Sequence, residues 1–178
     1  MERGLRVAPA TADQVAELAD VAARTFPLAC PPSVGPDDVA AFIAENLSRE
    51  RFADYLADPD RAVLTAVADG RILGYAMMIR GLPDDPDVAS AVTATPTVEL
   101  SKMYVLPEVH GGGVAAALMS AALQHAQTLG AASVWLGVNQ RNERAQRFYA
   151  KHGFTVAGTK TFRLGGHWEQ DYVMVRSV

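Results

Sequence analysis

The chain has a single cysteine, Cys30, so it can close no internal disulfide, and no Cys-x-x-Cys pair is present to hold zinc. That usage fits a reducing cytosol. Its four histidines, His110, His125, His152 and His167, lack metal-ligand spacing, so no metal is expected. Long apolar stretches are missing as well. No run of about 18 apolar residues occurs, and Met1–Gln14 lacks the apolar segment of a signal peptide. The expectation is a soluble, cytoplasmic protein with no membrane partner. Positive charge is not in excess: the formal net charge of −4 argues against nucleic acid or an anionic membrane as the main partner and leaves room for a cationic substrate. There is no internal repeat, linker or low-complexity segment.

What is present is apolar and regularly spaced. With 178 residues, 49% of them apolar, the chain can bury a sizeable core, and one domain over residues 1–178 is the simplest organisation. Leu5–Ala8 reads as a first strand. Thr11 and Gln14 have capping-box spacing, and Val15, Leu18, Ala19, Ala22 and Phe26 follow at helical intervals. Pro27, Pro31, Pro32 and Pro36 break the chain into a loop, with Pro36 suited to the first turn of a second helix. Ser48 caps a third, short helix carrying Phe52, Tyr55 and Leu56. Arg61–Ala68 and Ile72–Ile79 are strand-like runs joined by Asp69-Gly70, a strong hairpin signal. Gly81–Pro96 reads as a loop, Val98–Val105 as a strand, Gly111–Leu129 as a helix and Ser133–Val138 as a buried strand. Asn142–His152 is helical, and Phe154–Thr161 with Trp168–Arg176 form a closing antiparallel pair. Strands and helices in this order predict an α/β (α+β) domain with a mixed sheet covered by helices.

Three glycines, Gly111, Gly112 and Gly113, stand between a strand and a long helix. The first N–H groups of a helix have no internal partner and suit a phosphate, and glycine lets a ligand approach the chain. A turn that needs glycine only for its φ angles is the plainer reading. Gly111-x-Gly113-x-x-Ala116 also fits a dinucleotide fingerprint, which would make the protein an NAD-dependent oxidoreductase. That reading is disfavoured because the motif comes late in the chain and Asn139 and Gln140 stand where an acidic ribose ligand belongs. His110-Gly-Gly-Gly resembles an esterase oxyanion loop too, but no Gly-x-Ser-x-Gly elbow accompanies it.

The wider segment Glu99–Met119, with His110, Gly113 and Ala115 in the places of a Gln/Arg-x-x-Gly-x-Gly/Ala motif, resembles the acyl-CoA motif of the GCN5-related N-acetyltransferase (GNAT) superfamily. His110 departs from the usual Gln or Arg. Asn142-x-x-Ala145-x-x-x-Tyr149-x-x-x-Gly153-Phe154 is similar to the superfamily's second CoA motif, in the right order after the first. The resemblance implies a GNAT-like fold whose mixed central sheet is splayed between strands 4 and 5, with helices on both faces and acetyl-CoA as acetyl donor. It further implies that Met103, Val105, His110, Gly111, Gly112, Gly113, Val114, Ala115, Asn139, Asn142, Ala145 and Tyr149 contact the coenzyme.

Splayed strands would leave backbone groups free for the amides of pantetheine; Pro107 cannot donate to a ladder, which places the start of the splay at Val105. By resemblance, Val105 N–H polarises the thioester carbonyl and Tyr149 is the general acid. Spacing alone makes Tyr149 a core residue beside Ala145, Phe148 and His152. Glu99 lies six residues before Val105, and even spacing puts the two, with Ser101, on one strand face. A buried carboxylate there could act as base; a partly exposed strand glutamate is the equal alternative.

Asn142 also reads as a helix cap. Arg141, Arg144, Arg147 and Lys151 make a basic helix face, one member of which could meet the 3′-phosphate of CoA. The ending Gly153–Tyr172 resembles the bacterial polyamine N-acetyltransferase branch, with Ser101 where that branch often has glutamate. The expected reaction is direct attack of a small primary amine on acetyl-CoA in a ternary complex, without an acyl-enzyme at Cys30, which the proline-rich loop places away from both CoA motifs. A protein or peptide N-terminal acetyltransferase and a non-catalytic CoA sensor remain alternatives, and a homodimer is compatible with the resemblance.

Overall fold

The computed structural model describes residues 4–178. Strand β1 (Arg6–Pro9) leads through a single 3-10 turn at Ala12–Gln14, held by the reciprocal Thr11–Gln14 capping box, into α1 (Val15–Ala29). The helix continues past Pro27, contrary to the sequence expectation that it breaks there. Proline forfeits one N–H near the end of the helix, and the Cys30 N–H closes the final turn onto the Pro27 carbonyl. Helix α2 (Pro36–Asn46) starts on its proline, and α3 (Arg49–Ala57) is capped by the Ser48 hydroxyl, which accepts from the Arg51 N–H at 3.2 Å. Strands β2 (Arg61–Ala68) and β3 (Arg71–Arg80) form the expected hairpin, with φ of 53° at Asp69 and 72° at Gly70.

The stretch Gly81–Pro96, expected as a loop, contains a short helix, α4 (Pro86–Ala91). Asp85 caps it by accepting from the Asp87 N–H at 3.0 Å, but six residues are too few to show helical periodicity. Then come β4 (Thr97–Val105), α5 (Val114–Thr128), β5 (Ser133–Asn139), α6 (Glu143–Lys151), β6 (Thr155–Leu164) and β7 (His167–Ser177).

Among the described residues the strands form one seven-stranded sheet in the order β1-β2-β3-β4-β5-β7-β6, antiparallel except for the β4–β5 pair. Helices α1 to α3 cover one face, packing Leu18, Phe26 and Phe52 around Tyr75 of β3; α5 covers the other through Leu118, Met119, Ala122 and Ala126. Each such fully covered large side chain contributes about 1.5–3 kcal/mol. Helix α4 packs Val88 and Val92 on Trp135 and Val173 near the β6 edge.

The parallel β4–β5 ladder has three pairs, Thr97–Ser133, Val98–Val134 and Glu99–Trp135, and then the strands part. The β3–β4 ladder skips Ser101: Leu100 faces Met78 and Lys102 faces Met77. Ser101 is thus a bulge, and the extra twist of a bulge carries β4 away from β5. The splay therefore begins just after Glu99, earlier than Val105. Pro107 ends a different ladder, that with β3, whose last bond runs from the Leu106 N–H to the Leu73 carbonyl at 2.9 Å.

The bulge also reverses strand parity. Glu99, Lys102 and Tyr104 pair with Ile79, Met77 and Tyr75 on the α1 face, while Leu100, Met103 and Val105 face α5. Glu99 and Val105, expected on one face by even spacing, lie on opposite faces.

Candidate active site

Two cavities open at the splay. The first, about 450 Å³, runs between the β4–α5 turn and α6, lined by Met103, Val105, His110, Gly111, Gly113, Val114, Ala115 and Ala116 on one side and Asn142, Arg144, Ala145, Phe148 and Tyr149 on the other. Gly111 (φ 86°) and Gly113 (φ 83°) adopt left-handed backbone, and a Cβ on either would meet no protein atom within 4 Å. Space and conformation at this turn both suit a ligand lying against bare chain. The first α5 bond is from the Ala117 N–H to the Gly113 carbonyl, so the amides of Val114, Ala115 and Ala116 have no helical partner. Gly112 differs: its N–H donates to the Val109 carbonyl at 3.1 Å.

The preceding turn, Pro107–Val109, is tied down by Glu108, whose carboxylate accepts from Arg24 of α1 and Arg71 of β3. Its own backbone N–H and these two guanidinium groups hold the Glu108 carboxyl down at about 2. His110 spans the groove: one ring nitrogen lies 3.0 Å from the Val105 carbonyl and the other 2.9 Å from the Arg144 guanidinium. Arginine can only donate, so Nδ1 accepts and Nε2–H donates to Val105.

The second cavity, about 300 Å³, lies on the other side of the parted strands. Phe26, Phe42 and Phe162 form its apolar wall; Glu99, Lys102, Lys160, Glu169 and Asp171 supply its charge. Phe26 and Phe42 stack with centroids 4.5 Å apart, and Phe162 meets Phe42 edge-on at 5.9 Å. Lys160 of β6 meets Asp171 of the neighbouring β7 at 3.5 Å, its side chain ending over Gly137 of β5, with 13% and 11% of the two side chains exposed. Glycine at residue 137 leaves room for this lysine: a Cβ there would stand 2.6 Å from Lys160 Cε, and the lysine would have to shift. Asn139 donates to Glu169 at 3.2 Å.

Burial raises the carboxyl of Glu99 above its usual range, with Lys160, then Lys102 and Arg61, pulling it back; burial likewise raises Asp171, with Lys160 opposing. Burial lowers the Lys102 ammonium, which Glu99 partly offsets. Cys30 stands in this wall, not remote from the site as its proline-rich loop suggested. Burial, then the Glu169 charge, push its thiol up to about 11, so it stays protonated and unreactive at neutral pH.

The two cavities share Ala29, Met103, Tyr104, Asn142, Ala145 and Tyr149. Tyr149 projects from α6 where they join, packed edge-on against Phe148 at 5.6 Å and Phe154 at 5.9 Å. Burial alone pushes its phenol up to about 12, and its hydroxyl has no hydrogen-bond partner among the described residues. A neutral, unengaged proton donor stands at the junction.

A groove with bare helix-start amides, joined to a charged pocket across a split parallel strand pair, matches a known family. The model of the acetyltransferase (GNAT) family matches residues 18–154. The chain belongs to this family. An uncharacterised N-acetyltransferase of Mycobacterium tuberculosis is 62% identical over 162 residues, covering 91% of this chain and 96% of that protein. The mycothiol acetyltransferase of Frankia alni is 34% identical over 119 residues, 66% of this chain and 34% of that protein. The crystal structure of the PaiA N-acetyltransferase from Thermoplasma acidophilum, in complex with coenzyme A, has the same fold: TM-score 0.77 at 18% identity, covering 98% of this chain and 99% of that one.

The chain is thus a GNAT acyltransferase of the acetyl-CoA-dependent N-acetyltransferase type, with the splayed mixed sheet expected of the family. Of the residues that the sequence assigned to the coenzyme, Met103, Val105, His110, Gly111, Gly113, Val114, Ala115, Asn142, Ala145 and Tyr149 line the GNAT groove. Gly112 and Asn139 do not; Asn139 lines the second cavity instead. Asn142 caps α6 by accepting from the Ala145 N–H at 3.1 Å. Of the basic face, Arg144 and Lys151 line the groove, while Arg141 is tied to the Ser33 hydroxyl at 3.0 Å.

Sequence reasoning missed Lys102, Lys160, Glu169 and the aromatic wall. One signal was available: Glu169 and Asp171 alternate with Val173 along β7, and all three are buried, so acids occupy an inward-facing row. No helix is long and apolar enough to cross a membrane, and no cluster of three or more metal-ligating side chains occurs among the described residues.

Proposed function

We propose that residues 1–178 act in the cytoplasm as one N-acetyltransferase domain that moves the acetyl group of acetyl-CoA to a small-molecule primary amine held in the 300 Å³ cavity. The observation that carries this is the junction of the two cavities at Tyr149. The diphosphate lies on the amides of Gly113 to Ala116, pantetheine runs between Val105 and α6 past Asn142 and Ala145, and Arg144 or Lys151 receives the 3′-phosphate. The acetyl group then reaches the mouth of the second cavity.

An ammonium acceptor gives one proton to Glu99, and the freed nitrogen pair attacks the thioester carbonyl carbon. As the C–S bond breaks, the Tyr149 phenol protonates the leaving thiolate; the proton lost from nitrogen as the amide forms restores the phenol, and Glu99 releases its own to solvent. Products are amide, free CoA and one proton. No acyl-enzyme is formed, in keeping with the protonated Cys30 thiol. The polyamine branch suggested by the chain's ending is weakened as a source of substrate because Lys102 and Lys160 share the cavity with the carboxylates, a poor setting for a second cation.

Release of free CoA on adding a panel of amines, amino acids, aminoglycosides and peptides tests the reading; no release with any, beside intact acetyl-CoA binding, would leave only a coenzyme sensor. Glu99 must be ionised to accept the proton, and burial raises its pKa. We therefore expect kcat/KM to fall as pH drops through that raised value, with the acid limb displaced above 4.5. Glu99→Gln should lower kcat/KM and abolish that limb. A limb that survives unchanged in Glu99→Gln removes Glu99 from the reaction.

Substitution Gly113→Val imposes φ near +83° on a β-branched residue, about 1–2 kcal/mol of strain, and re-aims the amides behind it. Acetyl-CoA affinity measured by calorimetry should fall at least about tenfold, 1.4 kcal/mol being one decade.

A further inference from the structure

The charged groups of the second cavity are not equally satisfied. Lys160 and Asp171 are paired with each other, although the Lys160 charge also acts on Glu99 more strongly than any other, and Glu169 accepts from Asn139. Arg61, whose charge reaches both Glu99 and Lys102, is held by Asp58 at 3.1 Å. Two charges are left over. Among the described residues, neither the Glu99 carboxylate nor the Lys102 ammonium has a hydrogen bond or ion pair, although both are half-buried and both line the cavity.

The Ser101 bulge creates this arrangement. It returns Lys102 to the face that Glu99 occupies, opposite Met77 and Ile79 respectively. Two residues along β3 correspond to about 7 Å of strand, so one cation and one anion stand near each other on the same wall, each within the field of the other but neither held by a hydrogen bond or an ion pair. Leaving buried charges unpaired is costly, and a ligand that pairs both recovers that cost.

We propose that the acceptor is an amino acid-like zwitterion: its amine meets Glu99 and its carboxylate, a few bonds away, meets Lys102. This deepens the reading of the same site given above and rests on it. A diamine would place a second cation against Lys102, and a peptide amino terminus would offer Lys102 only a neutral carbonyl. Phe26, Phe42 and Phe162 receive the side chain. Lys102 is then a specificity residue, positioned by a bulge that no even alternation contains.

The test compares free α-amino acids with large apolar side chains (leucine, phenylalanine), their carboxamides and their decarboxylated amines, measuring kcat/KM by CoA release. The carboxamide's amine is the more readily deprotonated, so intrinsic reactivity works against the expected order. Wild type should favour each acid over both its amide and its amine by at least about tenfold. The Lys102→Met substitution should collapse that ratio to within about twofold, and Lys102→Arg should restore most of it; acetyl-CoA affinity, read by calorimetry in all three proteins, shows that each is folded.

Amides or amines turned over as well as the acids by wild type would overturn the zwitterion proposal and leave the acetyltransferase reading standing. A preference for acids that persists in Lys102→Met would overturn the role of Lys102. Failure to bind acetyl-CoA, or no transfer to any amine, would bring down both readings.

Discussion

Replacing Tyr149 by phenylalanine is expected to lower turnover about 100-fold or more, in the range of general acid catalysis, with acetyl-CoA affinity changed less than about twofold. The hydroxyl is all that is lost. The ring keeps its edge-on contacts with Phe148 and Phe154, and no protein group is left without a partner because none accepts from that hydroxyl among the described residues. Stability should move little for the same reason. A pre-steady-state burst distinguishes the outcomes: with wild type the chemical step must be fast enough to use the phenol, and with Tyr149→Phe any burst should vanish. Equal turnover in the two proteins removes Tyr149 from the reaction. As a control, Cys30→Ala should keep turnover within about threefold, since its thiol, raised to about 11, is not ionised at neutral pH.

The second large effect concerns stability. Replacing Lys160 by methionine leaves the Asp171 carboxylate, 11% exposed, without its cation. Removing one member of a buried pair costs about 3–5 kcal/mol, which in a chain of this size lowers Tm by roughly 10 °C. The pH dependence follows from Asp171. Burial raises its pKa above the ordinary 3.8, so the folded state binds the proton more tightly than the unfolded one. Its contribution to stability is therefore fully present below the unfolded value and is lost as pH rises through the folded one. Without Lys160, which opposes the shift in wild type, the folded value moves higher still. The deficit of Lys160→Met should be largest near neutrality and shrink toward pH 5, as followed by thermal melts. The double substitution Lys160→Met with Asp171→Leu should recover most of it, because an apolar pair leaves no buried charge unpaired. A deficit independent of pH would show that packing of the lysine stem over Gly137, rather than the charge pair, is what was lost.

Much of the architecture was legible before any coordinates. The Asp69-Gly70 hairpin, the capping box at Thr11 and Gln14, the Ser48 cap and the Gly111–Gly113 turn are local devices, written in residues that need particular φ angles or bond their own backbone. The residues that line the 450 Å³ groove come mostly from two short stretches, so their spacing survives as a motif. Where the structure departs from local sequence signals, the cause is context. Pro27 was tolerated near a helix end, and α4 was too short to leave a period. At Ser101 a single unpaired residue reversed the parity of a strand whose alternation looked regular, moving Glu99 to the face opposite Val105.

The charged 300 Å³ cavity shows the division most sharply. Its charges come from β4 and from the β6–β7 hairpin, more than fifty residues later in the chain; a bulge relates Lys102 to Glu99 and hairpin register relates Lys160 to Asp171, neither of which alternation along the sequence displays. By itself the sequence determined the order of the strands and of every helix but α4, the family, and the glycine turn and helix start that line the larger groove, since each depends on neighbours along the chain. Only the tertiary structure decided which charges meet and which stay unpaired. That outcome depends on strand register, and register is set by the packing of the whole sheet.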